Sequence, residues 1–487
     1  MNLSSIRLLF LSLLFAQPLL FSPFSLLSFE LPKVLFLYLF SAIAFFIVIL
    51  NFKIKQLKLV HYLFLSLLGW ILISGLIGLN FSESFFGSYF RMQGFLSYLC
   101  YGLLFLISSK VFENSHFKLQ ACWAILISST FVASLALIQF VSLWFFNYNL
   151  QLLYSGRVIS TFGQANFLGA YLVLSLPFGW FLFKHLKHHW LGKIVGIALI
   201  VILLGVISTF SRSAYLALAV LGLIWGFYHY RLFLGVITVL VVVFGVLGHL
   251  FPNLVYQEWL RFQVDTVSKW SAENRSQIAQ KSLQLISQKP LTGYGIENFS
   301  LAFSQVITPD DLGLKDIVVD SSHNLFLDLT VNLGAIGLVL FLTILIMSIF
   351  KGLKGNPENQ DFVKIALCVI IAFVIIHQFS PVSSVPYTLF WISLGIINPL
   401  KLENIVYKKS VRTLISFLGI TLVIFTAFYI VQTLRADNLF KKASGYEVID
   451  IHQAISLDNE AIQIAPWINF YKIRRNFLYK QLGNLDS

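Results

Sequence analysis

Three short polar stretches interrupt an otherwise apolar chain of 487 residues, and each carries a group able to do chemistry. Ser208-Thr209-Phe210-Ser211-Arg212-Ser213-Ala214-Tyr215 is a tight turn between two apolar runs, with almost no loop to carry Arg212 into solvent. Ser271-Ala272-Glu273-Asn274-Arg275 lies ahead of a helical stretch, Ile278 to Ser287, that leads to Lys289-Pro290-Leu291-Thr292-Gly293-Tyr294-Gly295. Asp320-Ser321-Ser322-His323-Asn324 stands at the mouth of a further apolar run. Guanidinium groups bind phosphate oxygens in bidentate fashion and never deprotonate, so a pair of them suits a diphosphate leaving group. Histidine titrates near neutrality and can take a proton from an attacking hydroxyl. Singly, each has a plainer reading: Arg212 as a snorkelling or headgroup-binding arginine, Arg275 as a solvated loop residue, His323 as an interfacial one. Two fixed cations and an imidazole on one face make a coherent site.

The elements that must position them are membrane helices. Hydrophobic residues make up 58% of the chain and charged residues 11%, where a soluble globular protein has about 45–50% and about 25%. Soluble globular folding is therefore excluded. Apolar runs long enough to cross a hydrocarbon core recur along almost the whole chain. The spacing predicts spans at 6 to 21, 34 to 50, 59 to 79, 95 to 109, 119 to 146, 165 to 183, 194 to 209, 213 to 228, 232 to 251, 323 to 350, 365 to 380, 385 to 400 and 413 to 433. The fold class is thus all-α and polytopic, with about 12–13 transmembrane helices, one large, partly helical extracytoplasmic loop and a short helical tail. Four regions follow: N-terminal helices 1–251, the loop 252–322, C-terminal helices 323–433 and an extracytoplasmic tail 434–487. The first run lacks a small-residue cleavage site and reads as a retained helix rather than a signal peptide.

Charge fixes the expected orientation. With the N-terminus cytoplasmic, seventeen lysines and arginines fall on inner segments, among them Lys53, Lys55, Lys58, Lys184, Lys187, Lys401, Lys408 and Arg412; the short outer segments hold Lys33, Arg91, Arg157 and Arg212. That is the positive-inside pattern, and it places the three polar stretches and the tail on the extracytoplasmic face. The formal charge of +13 is explained by topology, so a nucleic-acid partner is not expected. Cys100, Cys122 and Cys368 lie inside apolar runs, offering neither a disulfide framework nor a metal site. The spans hold few acids, Asp328 being the clearest, whereas coupled carriers usually line their path with them.

In this order and setting, several motifs resemble the O-antigen ligase superfamily of ligases, polymerases and pilin-type oligosaccharyltransferases. They are Glu30-Leu31-Pro32-Lys33, Ser84-Phe85-Phe86-Gly87-Ser88-Tyr89-Phe90-Arg91-Met92-Gln93-Gly94, Thr161-Phe162-Gly163-Gln164-Ala165-Asn166-Phe167-Leu168-Gly169, Thr209 to Ser213, Gly293-Tyr294-Gly295 and His323-Asn324-Leu325-Phe326-Leu327. The resemblance implies transfer of a glycan from a polyprenyl (undecaprenyl-type) diphosphate carrier at the outer face of the inner membrane, without metal or cofactor. It puts the phosphate-binding arginines on Arg212 and Arg275 and the essential histidine on His323, with inversion at the anomeric carbon. Arg91, Gln164, Asn166, Tyr294 and Asn324 are further candidate contacts to donor or acceptor. Gly163, Gly293 and Gly295 suit tight turns rather than a phosphate cradle, since no strand precedes them. The acceptor is a lipid, a glycan end or a protein hydroxyl. The tail resembles the opening of a tetratricopeptide array, with about one and a half repeats where such arrays need about three.

Two rivals come from other classes. A carrier or flippase of lipid-linked glycan would use the arginines for binding and keep His323 as a structural residue. A membrane scaffold would act through its tail.

Overall fold

The computed structural model describes residues 3–146, 157–228, 266–308, 319–354 and 360–485. Within a bilayer every backbone amide must find an internal partner, so long apolar segments become helices. The described residues form α1 (Leu3–Ala16), α2 (Glu30–Asn51), α3 (Leu59–Leu76), α4 (Phe81–Phe86), α5 (Phe95–Val111), α6 (Ser115–Phe146), α7 (Ala165–Leu186), α8 (Trp190–Ser208) and α9 (Arg212–Tyr228). Then come α10 (Thr266–Gln288), α11 (Phe299–Phe303), α12 (Leu325–Lys354), α13 (Gln360–Ile376), α14 (Ser384–Ile397), α15 (Lys409–Tyr446), α16 (Ile451–Ile464) and α17 (Asn469–Leu485). The protein is an all-α polytopic membrane protein. Seven of the described helices (α2, α3, α6, α7, α8, α12 and α15) are long and apolar enough to span, and α1, α5, α9 and α14 are shorter apolar helices. Twelve of the thirteen predicted spans fall on a described helix; the ninth, 232–251, and Arg231 lie outside the described residues. The tenth was expected from 323, but its helix starts at Leu325, leaving His323 in the preceding turn.

The interior is aromatic. Trp391 of α14 packs edge-on against Phe64 of α3 with ring centres 5.0 Å apart, and Phe373 of α13 stacks on Phe390 at 4.3 Å. A short antiparallel ladder that the sequence did not suggest joins β1 (Phe52–Gln56) to β2 (Lys401–Asn404), pairing Phe52 with Asn404 and Ile54 with Leu402. Lys55 on this ladder meets Glu403 at 2.5 Å.

The opposite end of the bundle gathers the polar stretches. Glu30 and Lys33 open α2 there as staples. A Glu30 carboxylate oxygen accepts the Ser384 amide at 2.6 Å, and the Lys33 ammonium donates to the carbonyls of Leu20, Phe29 and Thr161. A second staple is a break inside α12. Gly334, with φ +66°, interrupts the helix, and the turn 290–295 plugs into the gap. Tyr294 N donates to Val331 O at 3.0 Å, Gly295 N to Asn332 O at 2.8 Å and Ala335 N to Pro290 O at 2.8 Å. Ser74 Oγ of α3 donates to Thr292 O at 2.8 Å and Trp70 Nε1 to Leu333 O at 2.8 Å, so the carbonyls freed before the break and the amide freed after it all find partners. Only glycine tolerates this geometry, because a Cβ at Gly334 would collide with the Leu291 carbonyl.

The tail folds back over the same end. Asp437 of α15 is fully buried and accepts hydrogen bonds from the hydroxyls of Tyr89 (2.5 Å) and Tyr471 (3.2 Å). Tyr89 stacks on Phe470 at 4.8 Å, and Ser82 Oγ donates to Trp467 O at 2.9 Å.

Candidate functional site

Arg212 is the first residue of α9 and follows a one-residue reversal in which Phe210 adopts φ +49°, a conformation that costs a bulky side chain energy. The turn is held on both sides. Thr209 Oγ1 donates to Val206 O at 2.7 Å and accepts from Ser211 N at 3.2 Å. Arg157, arriving from the segment before α7, donates from Nε and Nη2 to Thr209 O (3.0 and 2.8 Å) and from Nη2 to Phe210 O at 2.8 Å. The same Nη2 reaches Asn166 Oδ1 at 3.2 Å. The exposed Arg212 thus stands on a strapped turn.

His323 is held in a comparable way. Its φ is +57°, again in the left-handed region. Its amide donates to Ser321 Oγ at 2.9 Å; Ser321 Oγ in turn donates to Asp328 Oδ2 at 2.9 Å, and Ser322 N donates to Asp328 Oδ1 at 2.7 Å. Asn324 caps α12, its Oδ1 accepting from the amides of Phe326 (3.0 Å) and Leu327 (3.1 Å). The backbone of residues 320–324 is therefore pinned, and the imidazole it carries is half-buried.

Beneath this turn lies Arg91. Its Nη1 donates to Asp320 O at 3.0 Å, and its guanidinium lies 3.9 Å from carboxylate oxygens of both Glu297 and Asp328. Burial opposes its charge, but Glu297, Asp328 and Asp320 more than offset that and hold it above the ordinary arginine range. Glu297 is itself fixed, accepting from Ser88 N (3.1 Å) and Ser88 Oγ (2.6 Å).

Electrostatics link the three residues singled out in the sequence. Arg275 in α10 is lowered from its usual value first by desolvation of its head and then by the Arg212 guanidinium. His323 is lowered below 6.5 first by burial, then by Arg275 and Arg91, against the opposing pull of Asp320 and Asp328. Arg212, Arg275 and His323 accordingly share one electrostatic neighbourhood. Two guanidiniums within reach of each other repel, and an anion between them would relieve that repulsion.

The other candidates are placed differently. Gln164 is exposed at the start of α7, and Asn166 serves Arg157. Tyr294 turns its hydroxyl to Gln288 Oε1 at 2.9 Å, and Asn324 is spent on its helix cap. Arg91 has 10% side-chain exposure. Gly163, Gly293 and Gly295 have positive φ, in keeping with turns. Sequence reasoning passed over Arg157 and Glu297 as site-building residues. The one available signal was at Asp328, an acid at membrane depth, where ionisable groups are expensive and seldom idle.

Residues 197–342, which include Arg212, Arg275 and His323, match the family described as O-antigen ligase. A Rickettsia conorii protein named as a polysaccharide ligase is 34% identical over 120 residues, covering 23% of this chain and 26% of the relative, so the similarity spans about a quarter of each. Over residues 197–342, the stretch that holds Arg212, Arg275 and His323, the chain is similar to the O-antigen ligase family.

Proposed function

We propose that the protein is a membrane glycan ligase or polymerase that transfers a glycan from a polyprenyl diphosphate carrier to an acceptor hydroxyl. The observation that carries this reading is the shared neighbourhood of Arg212, Arg275 and His323 at one end of the bundle. The diphosphate lies against the two guanidiniums, which supply charge-assisted hydrogen bonds to an already good leaving group. His323, kept neutral by burial and by Arg275, accepts the proton of the acceptor hydroxyl. The acceptor oxygen bonds to the anomeric carbon as the carbon–phosphate-oxygen bond breaks, and the lipid diphosphate departs with the bonding pair. A single displacement inverts the anomeric configuration.

The site end is extracytoplasmic in this reading. The opposite end carries Lys53, Lys55, Lys58, Lys184, Lys187, Lys351 and Lys401, in accord with the positive-inside rule. The membrane is the inner one, and the acceptor is a lipid, a glycan end or a protein. In this reading Arg212, Arg275 and His323 form one working region that links the loop 252–322 to the helices of 1–251 and 323–433.

The test is transfer of a labelled glycan from its polyprenyl diphosphate by purified protein in detergent with a chelator present. Wild type, His323→Ala and Arg212→Ala are compared across lipid, glycan and protein acceptors. Transfer by wild type, with His323→Ala binding donor but not turning over, supports the enzyme. A wild-type protein that binds donor and transfers it to no acceptor, or a His323→Ala variant that keeps full function, makes it a carrier.

A further inference from the structure

We propose that Arg91, set between Glu297 and Asp328, is a positioning residue for His323 that holds the histidine turn from beneath and does not itself touch donor or acceptor. The proposal rests on His323 being the proton acceptor in glycan transfer.

The geometry is a run of contacts on four successive residues. Arg91 takes the carbonyl of Asp320; Asp328 takes the hydroxyl of Ser321 and the amide of Ser322; Ser321 takes the amide of His323. No residue from 320 to 323 is left to set its own conformation. That matters because the left-handed φ of His323 costs energy and persists only where the surroundings over-determine it. Strain marks the brace as well as its target: Met92, next to Arg91, has φ +51°, and Glu297 has φ +62°. Three of the five described non-glycine residues with positive φ thus belong to this one assembly.

Arg91 serves as a charge centre more than as a ligand. Its distances of 3.9 Å to both carboxylates exceed hydrogen-bond length, its Nε is buried without a hydrogen-bond partner, and its side chain is 10% exposed, which leaves no face for a diphosphate. Two buried acids on separate segments, Glu297 in the 295–298 turn and Asp328 in α12, need a cation between them. Glu297 also accepts from the 87–94 loop through Ser88 and, at 3.4 Å, the Gln93 amide, so the cation and its acids lock three segments together.

The charged groups acting on His323 are Arg275 from α10, Asp320 from its own turn, Asp328 from α12 and Arg91 from the 87–94 loop. Arg91 and Asp328 act with opposite signs. Removing the cation raises the histidine's pKa, and removing the carboxylate lowers it.

The experiment follows the imidazole directly, by NMR titration of 15N-histidine-labelled full-length protein in detergent, with the His323 signal identified by its loss in His323→Gln. In Arg91→Gln the His323 midpoint moves up; in Asp328→Asn it moves down; in Arg91→Lys it stays near wild type, because the charge is kept. Transfer kcat falls about 100-fold in Arg91→Gln, the scale of a misplaced catalytic group, with donor KM unchanged. Arg91→Lys and Asp328→Asn preserve size and keep the test open where Arg91→Gln does not fold. Midpoints that stay fixed or move in the same direction overturn the proposal, as does a raised donor KM with kcat intact. Opposite midpoint shifts in a protein that transfers nothing leave the brace standing and refute the transfer reading instead.

Discussion

A histidine under an arginine is a base that works at lower pH than a free one. Burial and Arg275 both hold His323 below 6.5, so the imidazole stays neutral and able to accept a proton until the pH falls through that lowered value. The rate should therefore hold from neutrality down past the ordinary histidine range and then fall. Arg275→Gln removes one of the depressing charges, so the acid limb of a kcat profile should move to higher pH while donor KM rises. Arg212→Lys keeps the charge but loses the planar fork. Donor affinity should weaken by about ten- to a hundredfold, the worth of one charge-assisted hydrogen bond at about 1.5–3 kcal/mol, as measured by titrating labelled donor.

At the scale of elements, two turns each carry a left-handed residue and each is strapped by an arginine from a distant segment: Arg157 on the turn of Phe210, Arg91 on the turn of His323. Arg157→Met should lower transfer about as far as loss of Arg212 does, with unfolding temperature barely changed. A drop in both would make Arg157 a general support. The plug in α12 gives a sharper stability test. Gly334→Ala meets a left-handed φ and the Leu291 carbonyl together, so it should destabilise by at least about 1–2 kcal/mol, the cost of left-handed backbone for a residue with a Cβ, read as a lowered melting temperature in detergent. Spans were legible in the sequence because about twenty apolar residues leave the backbone no alternative to helix. Arg212 and His323 could be singled out in the sequence because charge at such positions is costly. The straps were not: Arg91, Glu297 and Asp328 lie far apart in the chain, and nothing in their local patterns tells that they meet. The helix cap made by Asn324 and the bond from Tyr294 to Gln288 were equally hidden, since in one dimension a cap and a buried phenol look like any other polar residue.

For the whole molecule, the tail and the site are joined through acids. Glu83 in α4 sits where Asn469 of the tail meets the membrane helices, and burial, then Glu297, raise it to about 7 from 4.5. A carboxyl raised in the folded state contributes stability in its protonated form; that contribution is present below 4.5 and is lost as pH rises through about 7. Limited proteolysis of the tail should accelerate between those values. Glu83→Gln should abolish the trend and protect the tail at pH 8. Asp437→Asn, which weakens the bonds from Tyr89 and Tyr471, should loosen the tail at every pH by about 1–3 kcal/mol.

The bond from Arg91 to Asp320 joins residues 229 positions apart. At about 5–20 residues per second of synthesis, Arg91 leaves the ribosome roughly ten to fifty seconds before its acids exist. For that interval the nascent chain holds a cation destined for burial without the carboxylates that make burial affordable, and it must stay hydrated at the membrane surface until α12 arrives. The end of the molecule that gathers Arg91, Glu297 and Asp328 is thus among the last parts to mature, and a chain truncated before residue 328 should leave its 87–94 loop open to modification from the water side.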